Sequence, residues 1–222
     1  MDDLSFQKMQ ALCKSAGFAQ KGKAFFRLRG DGVLQVIKCR HERVFRSDLI
    51  YIGLASMYAP LQPKDFTAGG CLTPYPVSNC CLLRQVPVVF ATSMESQLEM
   101  LEKAVLPWLD TIDTQKKLSK AISQLDGRWN DSAKIGPFLA CGEHNHARKV
   151  IKEIIGDYAY AKVRSVRPKD ATVEDMIARV RREKEPLYGI IEIIDRGEET
   201  VTAYLQANFE ENMGWAKFCV RK

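Results

Sequence analysis

The 222-residue sequence predicts an α+β fold: an N-terminal helix on a small antiparallel sheet, followed by a mostly helical C-terminal half. Three observations carry this expectation. Apolar residues recur at helical spacing over 2–16, three β-type runs broken by turn residues fill 23–58, and from position 92 onward the apolar period is helical.

The first helix takes Leu4, Met9, Leu12 and Cys13 as its apolar side and ends at Gly17, a residue suited to a left-handed cap. Runs 23–29 and 33–41 flank Gly30-Asp31-Gly32, and Asp-Gly between two such runs predicts a hairpin with a two-residue type I′ turn. A third run, 49–58, is apolar on both alternating faces and ends at Pro60. Residues 59–78, punctuated by Pro60, Pro63, Gly69, Gly70, Pro74 and Pro76, read as a long loop, and 80–90 as a further edge strand.

In the second half, Thr92 to Glu95 has capping-box spacing, and Met94, Leu98, Leu101 and Val105 line one helical side until Pro107 ends or kinks it. Leu118, Ile122 and Leu125 mark a helix closed by Asp126-Gly127. Val150, Ile151, Ile154 and Ile155 mark another, closed by Gly156. Thr172 to Asp175 starts a helix with Val173, Met176, Ile177 and Val180 on one side. Leu187, Ile190, Ile191 and Ile194, then Val201, Tyr204, Leu205 and Phe209, complete the set. Residues 158–166 and 215–220 fit strand or helix equally. The change of period divides the chain into an α+β domain, 1–126, and a helical subdomain or extension, 127–222.

A composition 46% hydrophobic and 27% charged excludes a disordered or low-complexity chain, and no run approaches the roughly 18 apolar residues of a membrane span. Seven cysteines form an odd count, and an N-terminus with two acids and no apolar run lacks a secretion signal, so a reducing, cytoplasmic setting is expected.

The net charge of +6 is concentrated in 20–46, where eight basic residues stand against Asp31 and Glu42. Strand alternation puts Lys23, Phe25, Arg27 and Arg29 on one face, and Lys38 and Arg40 share a parity on the next strand, with Arg43 and Arg46 following. These residues make a candidate partner-binding face: Lys23, Phe25, Arg27, Arg29, Lys38 and Arg40. Such a face suits an acidic protein partner by charge, or alternatively nucleic acid by phosphate contact with stacking on Phe25.

Other motifs carry less. Gly17 to Lys23 fits the start of a phosphate-binding loop, but the order is helix then strand, and Ala24 stands where a magnesium-binding hydroxyl belongs. Cys141, His144 and His146 have metal-like spacing without the fourth ligand of a structural site, and read as a polar loop. Cys71, Cys80 and Cys81 have no base fixed beside them by spacing. Arg29-Gly30-Asp31 is a turn. No catalytic residue, metal ligand or cofactor is assigned.

Gly17-Phe18, Lys21-Gly22-Lys23, Phe25-Phe26-Arg27, the strand Val33 to Ile37 and Tyr51-Ile52-Gly53-Leu54, with Leu106-Pro107-Trp108-Leu109 beyond, together resemble the bacterial family catalogued as domain of unknown function 4304. The resemblance covers roughly the first half of the chain and departs from the family at Lys38-Cys39-Arg40. It implies the helix-and-sheet fold and brings no catalytic residues. The expected function is that of a non-enzymatic protein-binding module, immunity-like or adaptor in kind.

Overall fold

A computed structural model describes residues 2–42, 47–61, 75–76, 93–124, 131–165 and 172–220, and these form an α+β fold. Helix α1 (Asp3–Ser15) begins where the Asp2 carboxylate accepts the Ser5 backbone N–H at 2.7 Å, and it ends before Gly17 at φ +80°. Met9 and Cys13 point inward, but Leu4 is 66% exposed. At 100° per residue Leu4 stands about 140° around the helix from Met9, too far to share its buried side.

Strands β1 (Ala19–Lys21), β2 (Ala24–Arg29), β3 (Val33–Glu42), β4 (Ser47–Ser56) and β5 (Tyr75–Pro76) make one antiparallel sheet in chain order. The three expected runs are its centre. Of the stretch 59–78 only 59–61 and β5 are described, and the expected strand at 80–90 lies outside the described residues, as do Arg43 and Arg46.

The β2–β3 loop departs from expectation in a way that affects the whole sheet. It has three residues, 30–32, not two: Arg29 pairs with Val33, and Gly30 and Gly32 take φ of +44° and +93°. The register therefore sets Phe25 beside Ile37, Arg27 beside Gln35 and Ala24 beside Lys38. A one-residue change in a hairpin loop sends each side chain of the second strand to the other face. Lys38 and Arg40 accordingly lie on the face opposite Phe25, Arg27 and Arg29.

Both faces are covered. Against the first, which carries Phe25, Ile37, Ile52 and Leu54, pack α1 and a long helical rod made of α2 (Met94–Met100), a π-helical stretch (Leu101–Val105) and α3 (Leu106–Thr111). Ser93, not Thr92, caps this rod, accepting the Ser96 N–H at 3.1 Å, and Thr92 lies outside the described residues. Pro107 does not end the rod. It has no N–H to donate and its ring needs room over the preceding turn, and the chain meets both demands by widening there, with the Leu106 N–H reaching Leu101 O.

The remaining helices are α4 (Gln115–Gln124), α5 (Asp131–Ala140), α6 (His144–Ser165), α7 (Val173–Glu183), α8 (Glu185–Asp195) and α9 (Glu198–Val220). Gly156, expected to close a helix, sits inside α6, and both ambiguous segments are helical where described. Sequence pattern misses α5, whose Gly136 and Pro137 look like breakers. Gly136 instead permits close approach, because a Cβ there would stand 2.8 Å from Ala59 Cβ.

The second sheet face, with Phe26, Leu34, Val36 and Ala55, is closed by Phe209, Met213 and Ala216 of α9. A separate helical core joins Ile135 and Phe138 of α5, Ile151 of α6, Leu187 and Ile190 of α8, and Val201 of α9. The expected junction at 126–127 lies outside the described residues. Among the described residues no helix is long and apolar enough to cross a membrane.

Candidate protein-binding groove

The six residues read as a basic face are dispersed. Phe25 is wholly buried in the core between the sheet and the helical rod, Arg27 is 6% exposed and Lys38 8%. Arg29 is half-buried, and Lys23 and Arg40 are exposed. Register has separated Lys38 and Arg40 from the arginines, and the helices have covered what alternation alone would leave open. An open cationic face centred on Phe25 is therefore not part of this fold, and Phe25 offers no ring to a nucleic-acid base.

Arg27 instead ties two helix ends to the sheet. Its Nη1 donates to Ala16 O at the end of α1 (2.6 Å) and meets Asp110 Oδ1 of α3 at 2.8 Å, while Nε donates to Gln35 Oε1 at 2.8 Å. Gln35 Nε2 in turn donates to Leu109 O and Ile112 O at 2.7 and 2.9 Å. Helix ends carry unsatisfied carbonyls and partial negative charge, so a guanidinium and an amide answer both needs. The guanidinium lies 4.4 Å over the Phe18 ring, and burial pulls its pKa below the ordinary value against the opposing pull of Asp110.

Cys71, Cys80 and Cys81 lie outside the described residues. Burial pushes the Cys13 thiol up to about 12 and raises Cys39 and Cys141, which favours the unreactive thiol form in each. Cys141 lies in the turn before α6; His144 and His146 stand two residues apart in the first turn of α6, on different sides of it, with His146 against Phe138 at 4.4 Å between rings. Among the described residues no three of His, Cys, Asp and Glu converge.

A different surface has the features of a binding site. Helix α7 is capped by Thr172 and Asp175, each accepting the other's backbone N–H, as the spacing predicts. Its apolar side, Val173, Met176, Ile177 and Val180, is set on α6, yet only Val180 is buried. Val173 is 62% exposed and Ile177 63%, and across from them Val163 of α6 is 52% exposed. These three line a groove of about 210 Å³ together with Gly156 and Ala159 of α6 and Tyr188 of α8.

The reason the stripe stays open is positional. No described residue of α7 enters the helical core, which α5, α6, α8 and α9 complete between them, so α7 lies outside it against α6 and α8.

Cations and aromatic rings lie nearby on α6, α7 and α8, and of these Lys162 and Tyr188 line the groove itself. Lys184 Nζ stands 4.4 Å from the Tyr158 ring centre, Lys162 Nζ 5.2 Å from the same ring, Arg181 5.8 Å from Tyr188 and Arg164 5.6 Å from Tyr160. Glu183 gathers the near side, accepting from Tyr158 and meeting Lys162 at 3.3 Å and Arg179 at 2.9 Å. Tyrosine and arginine around exposed apolar residues is the composition of protein-binding hot spots.

The sequence holds half of this signal. It shows which residues of α7 share a side, but not that the side remains uncovered. Comparison with protein-family models, curated proteins and solved structures gives no match.

Proposed function

We propose that the chain is a non-enzymatic protein-binding module of the cytoplasm, immunity-like or adaptor in kind, and that its partner seats in the groove between α6 and α7. One observation carries the reading: Val163, Val173 and Ile177, each more than half exposed, line a single groove. Full burial of a Val or Ile side chain is worth about 1.5 to 3 kcal/mol, so three placed together form a surface that gains from being covered. Kinship with the unknown-function family over the first half of the chain belongs to the same proposal, supported by the order of helix, hairpin and strand.

The test is position-specific photo-crosslinking. A photoreactive residue at Ile177 or Val173 is expected to capture a discrete protein, and one at exposed Leu4, on α1, is expected to capture none. Equal capture from all three positions, or none from the groove, overturns the reading.

A further inference from the structure

Resting on that reading, we infer that the groove's occupant is an amphipathic helix of a partner protein whose polar side is acidic where it meets the C-terminal end of α7. Shape argues for a helix. The groove runs between two helices, and the stripe of α7 from Val173 to Val180 is about 10 Å long, the span of two helical turns. Residues at i, i+3, i+4 and i+7 of a partner helix would lay one apolar ridge along it.

Charge argues for acid, and for one direction. At the C-terminal end of α7, 179–185 holds Arg179, Arg181, Arg182 and Lys184 against Glu183 and Glu185, with Arg182 on the side away from the stripe. Where α6 ends and α7 begins, Arg164 stands against Glu174 and Asp175, the latter engaged in the cap. The field along the groove is therefore polarised, positive toward 179–184, and an acidic turn on the partner is favoured there and disfavoured near Glu174. Opposed charge at the rim acts on encounter rate and orientation, while the apolar seam holds the complex.

The experiment uses the full chain and two labelled helical peptides. Both carry Leu at i, i+3, i+4 and i+7; one has Glu over the rest of its surface and its twin has Lys. Anisotropy is expected to show the acidic peptide binding about tenfold or more tighter than the twin, with affinity falling as salt rises. Ile177→Glu should abolish binding, and Arg181→Glu should weaken it severalfold. Positions 173, 177 and 181 are all exposed, so far-UV circular dichroism of each variant should match the parent; Val173→Glu serves as a second groove variant.

Equal binding of the twins overturns the inference, as does binding indifferent to both Ile177→Glu and Val173→Glu. So does sedimentation showing a dimer of this chain lost in Ile177→Glu, or displacement of the acidic peptide by single-stranded DNA at matched ionic strength. If position 177 crosslinks to a protein that the acidic peptide does not displace, this inference fails and the protein-binding reading stands. Without position-specific crosslinks the reading itself fails, whatever the peptides do.

Discussion

The carboxylate of Asp31, at the tip of the β2–β3 hairpin, accepts the backbone N–H of Gln115, at the start of α4, at 2.9 Å. The Gln115 side chain returns the contact, its Nε2 donating to Asp31 O at 3.2 Å. Thr114 serves α4 from within the chain, accepting the Lys117 N–H at 3.3 Å, so a residue 84 positions away supplies the rest of this cap. Loss of a capping side chain costs about 1 kcal/mol. Asp31→Ala should lower stability in urea melts by about that amount, and Asp31→Asn, which keeps an acceptor, should recover most of it.

Two glycines should respond in opposite directions to alanine. Gly30 has φ +44°, and a Cβ there would collide with the carbonyl oxygen of Asp113, which is backbone and cannot yield. Gly30→Ala should fold poorly or melt far below the parent. At Gly156, within α6, an added Cβ meets nothing within 4 Å, so Gly156→Ala should raise stability by about 0.5 to 1 kcal/mol. Thermal melts of the two variants side by side check both.

Gln35 is fully buried and serves two helix-end carbonyls at once. Gln35→Leu strands Ile112 O and Arg27 Nε without that partner, while Leu109 O keeps the Ile112 N–H at 3.0 Å. Each buried polar group left unsatisfied costs about 1 to 3 kcal/mol, so this variant should be among the most destabilised of single substitutions in the sheet. The Arg27 to Asp110 pair is different, because Asp110 is 54% exposed. A double-mutant cycle of Arg27→Met with Asp110→Asn should return a coupling below about 1 kcal/mol.

The Cys13 thiol gives the fold an alkaline limit. Its pKa is raised by burial from an ordinary 9.0 to about 12. Below pH 9 the thiol is protonated in folded and unfolded chains alike and its contribution is fully present. Between pH 9 and 12 the unfolded chain sheds the proton and the folded chain keeps it, so stability declines by up to about 1.4 kcal/mol per pH unit. Urea melts at pH 8, 9 and 10 should show the parent losing its advantage over Cys13→Ala as pH rises. A constant gap would sink the assignment.

What could be read before the structure was whatever is decided locally. The Thr172 to Asp175 cap, the helix of Leu187 to Ile194 and the apolar strand Val33 to Ile37 depend on neighbours within a few positions, and all stand as read. The candidate face failed at one residue of loop length. With Asp31-Gly32 as a two-residue turn, Phe25 and Lys38 would share a face; the third loop residue parts them. Burial was equally out of reach, since alternation groups Phe25 with Arg27 and says nothing about α1 or α3 lying over both.

The opposite error applies to α7, where Val173 and Ile177 look like core by period and lie open because α5, α6, α8 and α9 already fill the core. Pro107, read as ending or kinking its helix, does not end it, because a chain can take an internal proline by rewinding one turn.

Helix α9 also sets a limit on how the gene can be cut. Phe26, Leu34, Val36 and Ala55 are kept dry by Phe209 and Met213, more than 150 positions along the chain, and Asn212 of the same helix donates to the carbonyls of Met57 and Ala59 at 2.7 Å each. A product stopped at residue 126, however complete its sheet, would present that greasy underside to its own copies and precipitate. Ribosomal synthesis makes the strands well before α9, so the sheet cannot be sealed until residue 216 has emerged.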